Sequence, residues 1–343
     1  MALLLGLLIF SFTTNSILII PFIDLLYKLK FLRQKQKTKD AFGKKTPIFD
    51  KFHRHKAGTP VGGGLLIILS TSLLFAILLP LLSMLGVIVT YIYPIKEEIN
   101  IIFFTFISFA LLGFYDDLMK FFNFSRTGFF GLRLRHKLAI QWILALLIGL
   151  MLFLNLRIDI FHVPFFGVWK LGWLFVPLSA FTIVSFANAV NVSDGLDGLA
   201  SGILMICIFA FWFLSAKILD TPLSIFLTLW LGALIAFLYF NIYPARIWLG
   251  DVGSLSFGAT LAVVSLLLGK VMALVIIGGL FVVEILSSLL QLLSKKLRGK
   301  KFFPVAPLHL WLQLLGWEEP KIVSRAWLAG IMLAIFGLWL AIV

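Results

Sequence analysis

The sequence predicts an all-α, polytopic membrane protein with about ten transmembrane helices, and three observations carry that expectation. Of its 343 residues 61% are hydrophobic and only 13% charged, with 36 Phe and 10 Trp, well beyond the apolar share of a soluble domain. The apolar residues come in runs near the ~20 that a helix needs to cross a ~30 Å hydrocarbon core, whereas a barrel would show short alternating segments. The basic residues are segregated: 24 of the 29 Lys and Arg fall in alternate loops, leaving only Lys96, Arg157, Lys170, Lys217 and Lys270 in the others. The positive-inside rule then assigns the basic loops to the cytoplasm and both termini to the outer side.

The first apolar run, 2–26, lacks the basic n-region and small-residue cleavage site of a signal peptide and reads as the first span. Residues 28–56 carry 11 Lys and Arg, suited to fixing orientation and attracting anionic lipid headgroups; nucleic acid is not the partner expected. Runs at 61–90 and 101–115 follow, separated by the turn formers Tyr93-Pro94. After the second basic loop, 120–137, comes a run at 138–154, and then an aromatic, partly alternating segment, 155–170, expected as a small hairpin at the membrane interface. Runs at 171–190, 197–216, 223–240, 254–269, 271–293 and 327–343 complete the ten, punctuated by Asp220-Thr221-Pro222 and Tyr243-Pro244. No repeat or low-complexity tract divides the chain, which reads as one integral membrane domain over 1–343. The single cysteine, Cys207, excludes a disulfide framework and a Cys/His metal cluster.

An acidic group at membrane depth costs about 2.5–3.5 kcal/mol on insertion scales, so acids kept in such a chain mark a site. Six of the fifteen acidic residues lie in GFYDDLMK (113–120), NAVNVSDGLDG (188–198), YPARIWLGDVGS (243–254) and at Glu284. The three loop motifs all fall on the predicted cytoplasmic face. Asp116 and Asp117 project about 100° apart on a helix, so one is available to a metal or a proton and the other to an orienting contact. Lys120 shares their face if the helix continues, where it suits a phosphate. Asp194 and Asp197 are spaced i, i+3, as are Asn188 and Asn191, and Gly195 and Gly198 let a ligand approach the backbone. A helix cap explains one of these aspartates but not the constellation. Asp251 precedes Gly253 and Ser254 at a predicted helix start, where free N–H groups favour phosphate and the carboxylate suits Mg²⁺. Taken singly, GFYDDLMK has a salt-bridged, solvated helix end as its competing reading, and WLGDVGS a plain N-cap. HKAGTPVGGG (55–64) has the composition of a phosphate loop without the GxxxxGK[ST] spacing, and its glycines equally serve close helix packing. Glu284 reads as a substrate-side group or as a buried acid paired with another helix.

KAGTPVGG (56–63), GFYDDLMK, NAVNVSDGLDGLA, NIYPARIWLGDVGSL and VAPLHLWLQLLGWEEPKIV (305–323) together resemble the phospho-N-acetylmuramoyl-pentapeptide transferases, part of the polyprenyl-phosphate N-acetylhexosamine-1-phosphate transferase superfamily. The resemblance implies Mg²⁺-dependent transfer of phospho-N-acetylmuramoyl-pentapeptide from a UDP-sugar donor to undecaprenyl phosphate, giving UMP and lipid I. It also implies a homodimer in the bacterial cytoplasmic membrane, in contact with membrane lipid, with its active site facing the cytoplasm. Carried over by motif, Asp116, Asp117, Asp251 and His309 are the catalytic candidates, with Asp251 the Mg²⁺ ligand and Asp116 placed to deprotonate or position the lipid phosphate. Lys56, Thr59, Lys120, Lys137, Asn188, Asn191, Asp194, Asp197, Asn241, Trp248 and Gln291 are the substrate-binding candidates, while Arg133 and Arg135 are set to meet lipid headgroups. Direct attack by the lipid phosphate is preferred to a covalent enzyme intermediate, because a phosphate oxygen is already a competent nucleophile once the diphosphate charge is screened.

Two departures from the family pattern stand out. Trp248 replaces the usual Phe, and a base stacks on either ring. The family's APxHHH motif reads Ala306-Pro307-Leu308-His309-Leu310-Trp311 here, so only the first His is carried over. That change leaves a UDP-N-acetylglucosamine (or related sugar):polyprenyl-phosphate transferase as the alternative. An ion-coupled transporter is the alternative from another class. It predicts acids near the bilayer midplane and repeated halves, against the helix-end acids and repeat-free chain seen here.

Overall fold

Among the described residues nine helices are long and apolar enough to cross a membrane, and a bent pair brings the number to as many as ten. The computed structural model describes residues 1–32, 52, 56–121 and 134–343. The spanning helices are α1 (Ala2–Lys28), α2 (Gly63–Met84), α3 (Ile95–Phe121), α4 (Leu134–Asn155), α5 (Phe175–Ser193), α6 (Leu199–Lys217), α7 (Thr221–Asn241) and α8 (Gly250–Leu267). After these come α9 (Val271–Ile277), α10 (Gly279–Arg298), α11 (Leu308–Leu314) and the last span, α12 (Glu319–Ile342). Most of the polybasic stretch (33–51 and 53–55) and Arg133 lie outside the described residues.

The two helices at the centre are α7 and α8, almost wholly buried, while α1, α2, α4 and α12 turn most of their apolar side chains outward as lipid-facing helices do. Between helices in a membrane there is little hydrophobic driving force, so shape and hydrogen bonds decide the packing. In the core the Phe106 ring stacks on Phe257 at 5.7 Å and meets Trp230 edge-on at 5.6 Å. Buried polar groups reach across helices: Ser256 Oγ donates to Phe106 O at 2.6 Å, Trp212 Nε1 to Thr228 Oγ1 at 2.7 Å, and Ser11 Oγ to Leu229 O at 2.6 Å. Helix α7 opens with Asp220 accepting from Leu223 N–H at 3.3 Å and Pro222 in its first turn, a start that Asp-Thr-Pro spells in the sequence.

The contact that positions the site is α3 against α8. A Cβ placed on Gly113 would lie 2.1 Å from the Asp251 carbonyl oxygen. Only glycine permits that backbone-to-backbone approach, and it occurs one turn before Asp116 and Asp117.

The segment between α4 and α5 forms the expected hairpin: Ile160–Val163 (β1) pairs antiparallel with Gly167–Lys170 (β2), with Phe161 opposite Trp169. The run at 271–293 differs from expectation. It is not one straight span but two helices, α9 and α10, bent by 80° around Gly278. A helix crossing lipid can break where neighbouring protein covers the freed backbone, and Gly278 packs closely against the Phe186 ring. Beyond the bend α10 is amphipathic, with Phe281, Glu284, Ser287 and Gln291 buried and Leu286, Leu289, Leu290, Leu293 and Leu297 exposed.

The N-termini of α2, α4, α8 and α12 and the C-termini of α3 and α5 meet at one end of the bundle. At the opposite end lies a buried acid pair that no motif marked, Glu98 and Asp220.

Candidate active site

Three carboxylates and two ammonium groups form the centre of the site. Asp116 and Asp117 occupy the last turns of α3, which continues far enough to put Lys120 beside them. Asp251 sits in the first turn of α8, and Lys137 reaches in from the first turn of α4. Asp116 Oδ2 pairs with Lys120 Nζ at 3.0 Å and Lys137 Nζ at 2.9 Å. Asp251 Oδ2 meets the same two ammonium groups at 2.7 and 2.5 Å. The two neighbouring aspartates divide as the helix geometry requires: Asp117 turns to the α8 backbone, where its Oδ2 accepts the Val252 N–H at 3.1 Å. Asn191 donates to Asp251 Oδ1 at 3.1 Å and to Ser254 Oγ at 2.8 Å, so it orients the carboxylate from the other side. Asp116 and Asp117 are buried, while the side chains of Asp251 and Lys120 stay 16% and 28% exposed at the mouth.

The second part of the site is built on the DGLDG loop between α5 and α6. Asp197 Oδ1 accepts from Lys56 Nζ at 2.9 Å, and its Oδ2 from Ala245 N–H at 2.9 Å. Enclosure in the protein pushes the Asp194 carboxyl up to about 7, reinforced by the negative charges of Asp251 and Asp197 and opposed by Lys56 and the Gly250 N–H. Lys56 lies 5.2 Å from the Trp248 ring centroid, a cation–π distance. The AGTPVGG segment is laced to WLGD by backbone hydrogen bonds, from Trp248 N to Pro60 O at 2.8 Å and from Gly62 and Gly63 N to Trp248 O at 3.0 and 2.8 Å. Those bonds bring Lys56 and Asp251 into one site from opposite halves of the chain. Thr59 sits on this loop, its N–H 3.4 Å from Lys56 O.

His309 lies at the edge of the same loop. Its Nδ1 is 3.0 Å from Glu284 Oε2 and its backbone N–H donates to Glu284 Oε1 at 3.1 Å, so Glu284 fixes both the ring and the start of α11. The other ring nitrogen faces Gly195, where a Cβ would come within 2.6 Å of it. Of the two readings of Glu284, this geometry is that of a buried acid paired across helices.

Other candidates are committed to the protein itself. Asn188 Nδ2 donates to Gln141 Oε1 at 2.6 Å and to Val184 O at 2.8 Å. Asn241 accepts from Ser201 Oγ at 2.5 Å and donates to Ile247 O at 2.9 Å. Gln291 holds the loop before α11 through Phe302 N–H, Phe303 N–H and Phe303 O, each at 2.9 Å. Arg135 is exposed. One buried acid at the site, Glu319, was not among the sequence candidates although its motif, GWEEPK, was; it bonds both Lys56 and the Asp197 backbone.

Carboxylate oxygens at an exposed mouth suit a hard divalent cation completed by substrate phosphates and water, once the two ammonium groups paired with them turn to those phosphates. No three described His, Cys, Asp or Glu side chains form a metal group by themselves. Asp251, at the mouth, could hold such a cation together with substrate oxygens, as an open site and not a closed protein cage.

Residues 99–269 match the model of glycosyl transferase family 4, and with the apolar spanning helices that match points to a transferase of the membrane. The chain is 37% identical over 346 residues to the phospho-N-acetylmuramoyl-pentapeptide-transferase of Shouchella clausii strain KSM-K16, covering 99% of this chain and 98% of that protein. It is 36% identical to the protein of the same name from Bacillus subtilis strain 168, over 85% of this chain and 86% of that protein. The counterpart from Thermodesulfovibrio yellowstonii is 37% identical, over 84% and 81%. The chain belongs to the phospho-N-acetylmuramoyl-pentapeptide transferase family.

Proposed function

We propose that the protein transfers phospho-N-acetylmuramoyl-pentapeptide from its UDP carrier to undecaprenyl phosphate, releasing UMP and forming lipid I for peptidoglycan synthesis. Supporting this are the full-length relationship to transferases of that name and, as the single structural observation, the Asp116–Lys120–Lys137–Asp251 cluster at a membrane-helix end. A lipid phosphate and a soluble nucleotide can meet only at such a boundary. We place it at the cytoplasmic face of the bacterial inner membrane, on the distribution of basic residues, and expect a homodimer.

The geometry supports the following division of roles. Lys120 and Lys137 exchange carboxylate partners for the donor's diphosphate oxygens. Asp116, released from them, accepts a hydrogen bond or proton from the lipid phosphate and aims it. A phosphate oxygen of the lipid attacks the β-phosphorus, the bond from that phosphorus to the bridging oxygen breaks, and UMP leaves with the electron pair. Asp117, held by the Val252 N–H, keeps α3 and α8 in register. Asp251 would hold Mg²⁺, whose charge would screen the donor's diphosphate. Trp248 offers a face for the base, and His309, fixed by Glu284, contributes a ring nitrogen beside Gly195.

The test is a UMP-release assay on purified protein with undecaprenyl phosphate, comparing UDP-N-acetylmuramoyl-pentapeptide and UDP-N-acetylglucosamine as donors, with and without Mg²⁺. Preference for the muramoyl donor and loss of turnover in a chelator are expected. Turnover of the N-acetylglucosamine donor alone would move the protein to the neighbouring branch, and no release from either donor would reject the reading.

A further inference from the structure

Glu319 occupies the first turn of α12, where a carboxylate is favoured by the helix dipole, and it is buried. Its Oε1 accepts from the Lys56 ammonium and, at 2.6 Å, from the backbone N–H of Asp197. Two turns further along α12, Trp327 Nε1 donates to Gly198 O at 3.0 Å. The start of α12 therefore grips the DGLDG loop at two adjacent residues while holding the lysine that faces it.

A lysine has a flexible four-carbon stem and three rotatable donors, so its ammonium is placed only as well as its partners place it. Here two carboxylates flank it, Asp197 and Glu319, both themselves pinned by backbone N–H groups or a helix start. Lys56 also lies 5.2 Å from the Trp248 ring centroid, the face offered to the donor's base, so the trio borders the nucleoside end of the donor while Lys120 and Lys137 take its diphosphate oxygens.

We propose that Glu319 is a positioning residue for the donor: it sets the Lys56 ammonium and the Asp197 loop in the geometry that receives the nucleoside. The proposal rests on the transferase reading above. Glutamine at 319 keeps the size and an acceptor for the Asp197 N–H but removes the charge, leaving Lys56 with Asp197 alone. Aspartate keeps the charge and shortens the reach by one methylene.

The test uses full-length protein in detergent, with UMP binding by calorimetry and steady-state kinetics for wild type, E319Q, E319D, K56M and the double variant K56M/E319Q. E319Q is expected to weaken UMP binding and raise the KM for the UDP donor at least tenfold, with kcat and the KM for undecaprenyl phosphate within threefold of wild type. K56M should show the same loss, the double variant should add less than threefold to it, and E319D should fall between E319Q and wild type. UMP affinity within threefold of wild type in E319Q overturns the proposal. So does an equal loss for both substrates, or multiplication of the two single losses in the double variant, either of which makes the residue a fold element only. Should E319Q not fold, an unchanged donor KM in E319D overturns it equally. A wild type that binds UMP but releases none from either donor rejects the transferase reading and leaves Glu319 judged on binding; a wild type that binds no UMP overturns both.

Discussion

Substituting Gly113 by Ala tests whether the α3–α8 contact sets the reacting geometry. The added methyl would lie 2.1 Å from Asp251 O and 2.4 Å from its carbonyl carbon, where ordinary contact begins at 3.4 Å. Relief requires the two helices to part by about 1.3 Å, because the obstacle is backbone and not a side chain that can rotate. Asp116 and Asp251 share Lys120 and Lys137 at 2.5–3.0 Å, so a separation of that size stretches at least one pair in each bridge beyond hydrogen-bond reach. A ~1 Å misplacement of reacting groups costs about 10²-fold in rate, which is the loss expected here. Stability should suffer less. Overpacking costs about 1–3 kcal/mol, and replacing Gly by Ala inside a helix returns about 1 kcal/mol. UMP release and thermal unfolding in detergent measure the two effects separately, with Gly6→Ala, where nothing lies within 4 Å of the new methyl, as the control. A folded Gly113→Ala protein that turns over within threefold of wild type would refute the reasoning.

Asp251→Asn should lower turnover at least about 10²-fold and flatten its dependence on Mg²⁺ concentration, measured as UMP release across a metal titration; near-normal turnover in the folded variant removes Asp251 as the metal ligand. His309→Ala should impair the reaction although the two following histidines of the family motif are absent, and an unaltered rate would make the residue a support for α11. At the opposite end of the bundle, burial raises the Asp220 carboxyl above its usual range, and it faces Glu98, neither of whose oxygens has another partner, so the two acids sit together only by sharing a proton. The folded protein thus holds that proton more tightly than the unfolded chain does. Its stabilising share is complete below the ordinary Asp value and is lost as pH rises through the raised one. Asp220→Asn keeps the cap on Leu223 and adds an N–H donor for Glu98, so it should raise the stability of the folded protein at neutral pH by about 1–3 kcal/mol and flatten the acid-side slope of the melting temperature; an unchanged slope would count against the pair.

The convergence of the loop motifs was legible because an acid at the end of an apolar helix is costly and stands out against its surroundings. The hairpin was legible for a similar reason, from alternation between turn residues. The bend at Gly278 was not, since a 23-residue apolar run looks the same whether or not a neighbour covers a break in its middle. Glu319 was not legible because an acid before Pro at a helix start is an ordinary cap signal, and only the fold shows Lys56 arriving opposite it. Glu98 and Asp220 were hidden likewise, each reading as a first-turn acid until the ends of α3 and α7 are seen side by side. Asn188, Asn241 and Gln291 were flagged by motif, and the partners that occupy their side chains lie on other helices or on irregular backbone, which spacing along one segment does not reveal.

The lysines between Asp116 and Asp251 have a consequence for how an anion enters. Each ammonium is already stripped of most of its water and already aimed, so the reorganisation that usually accompanies capture of a phosphate has been completed during folding. An incoming diphosphate meets an exchange of counter-ions and not a vacant positive well. Its affinity is then the difference between two sets of ion pairs, a modest quantity by construction, and a product that has lost one of its two phosphate groups holds fewer of those pairs and leaves more readily than the donor.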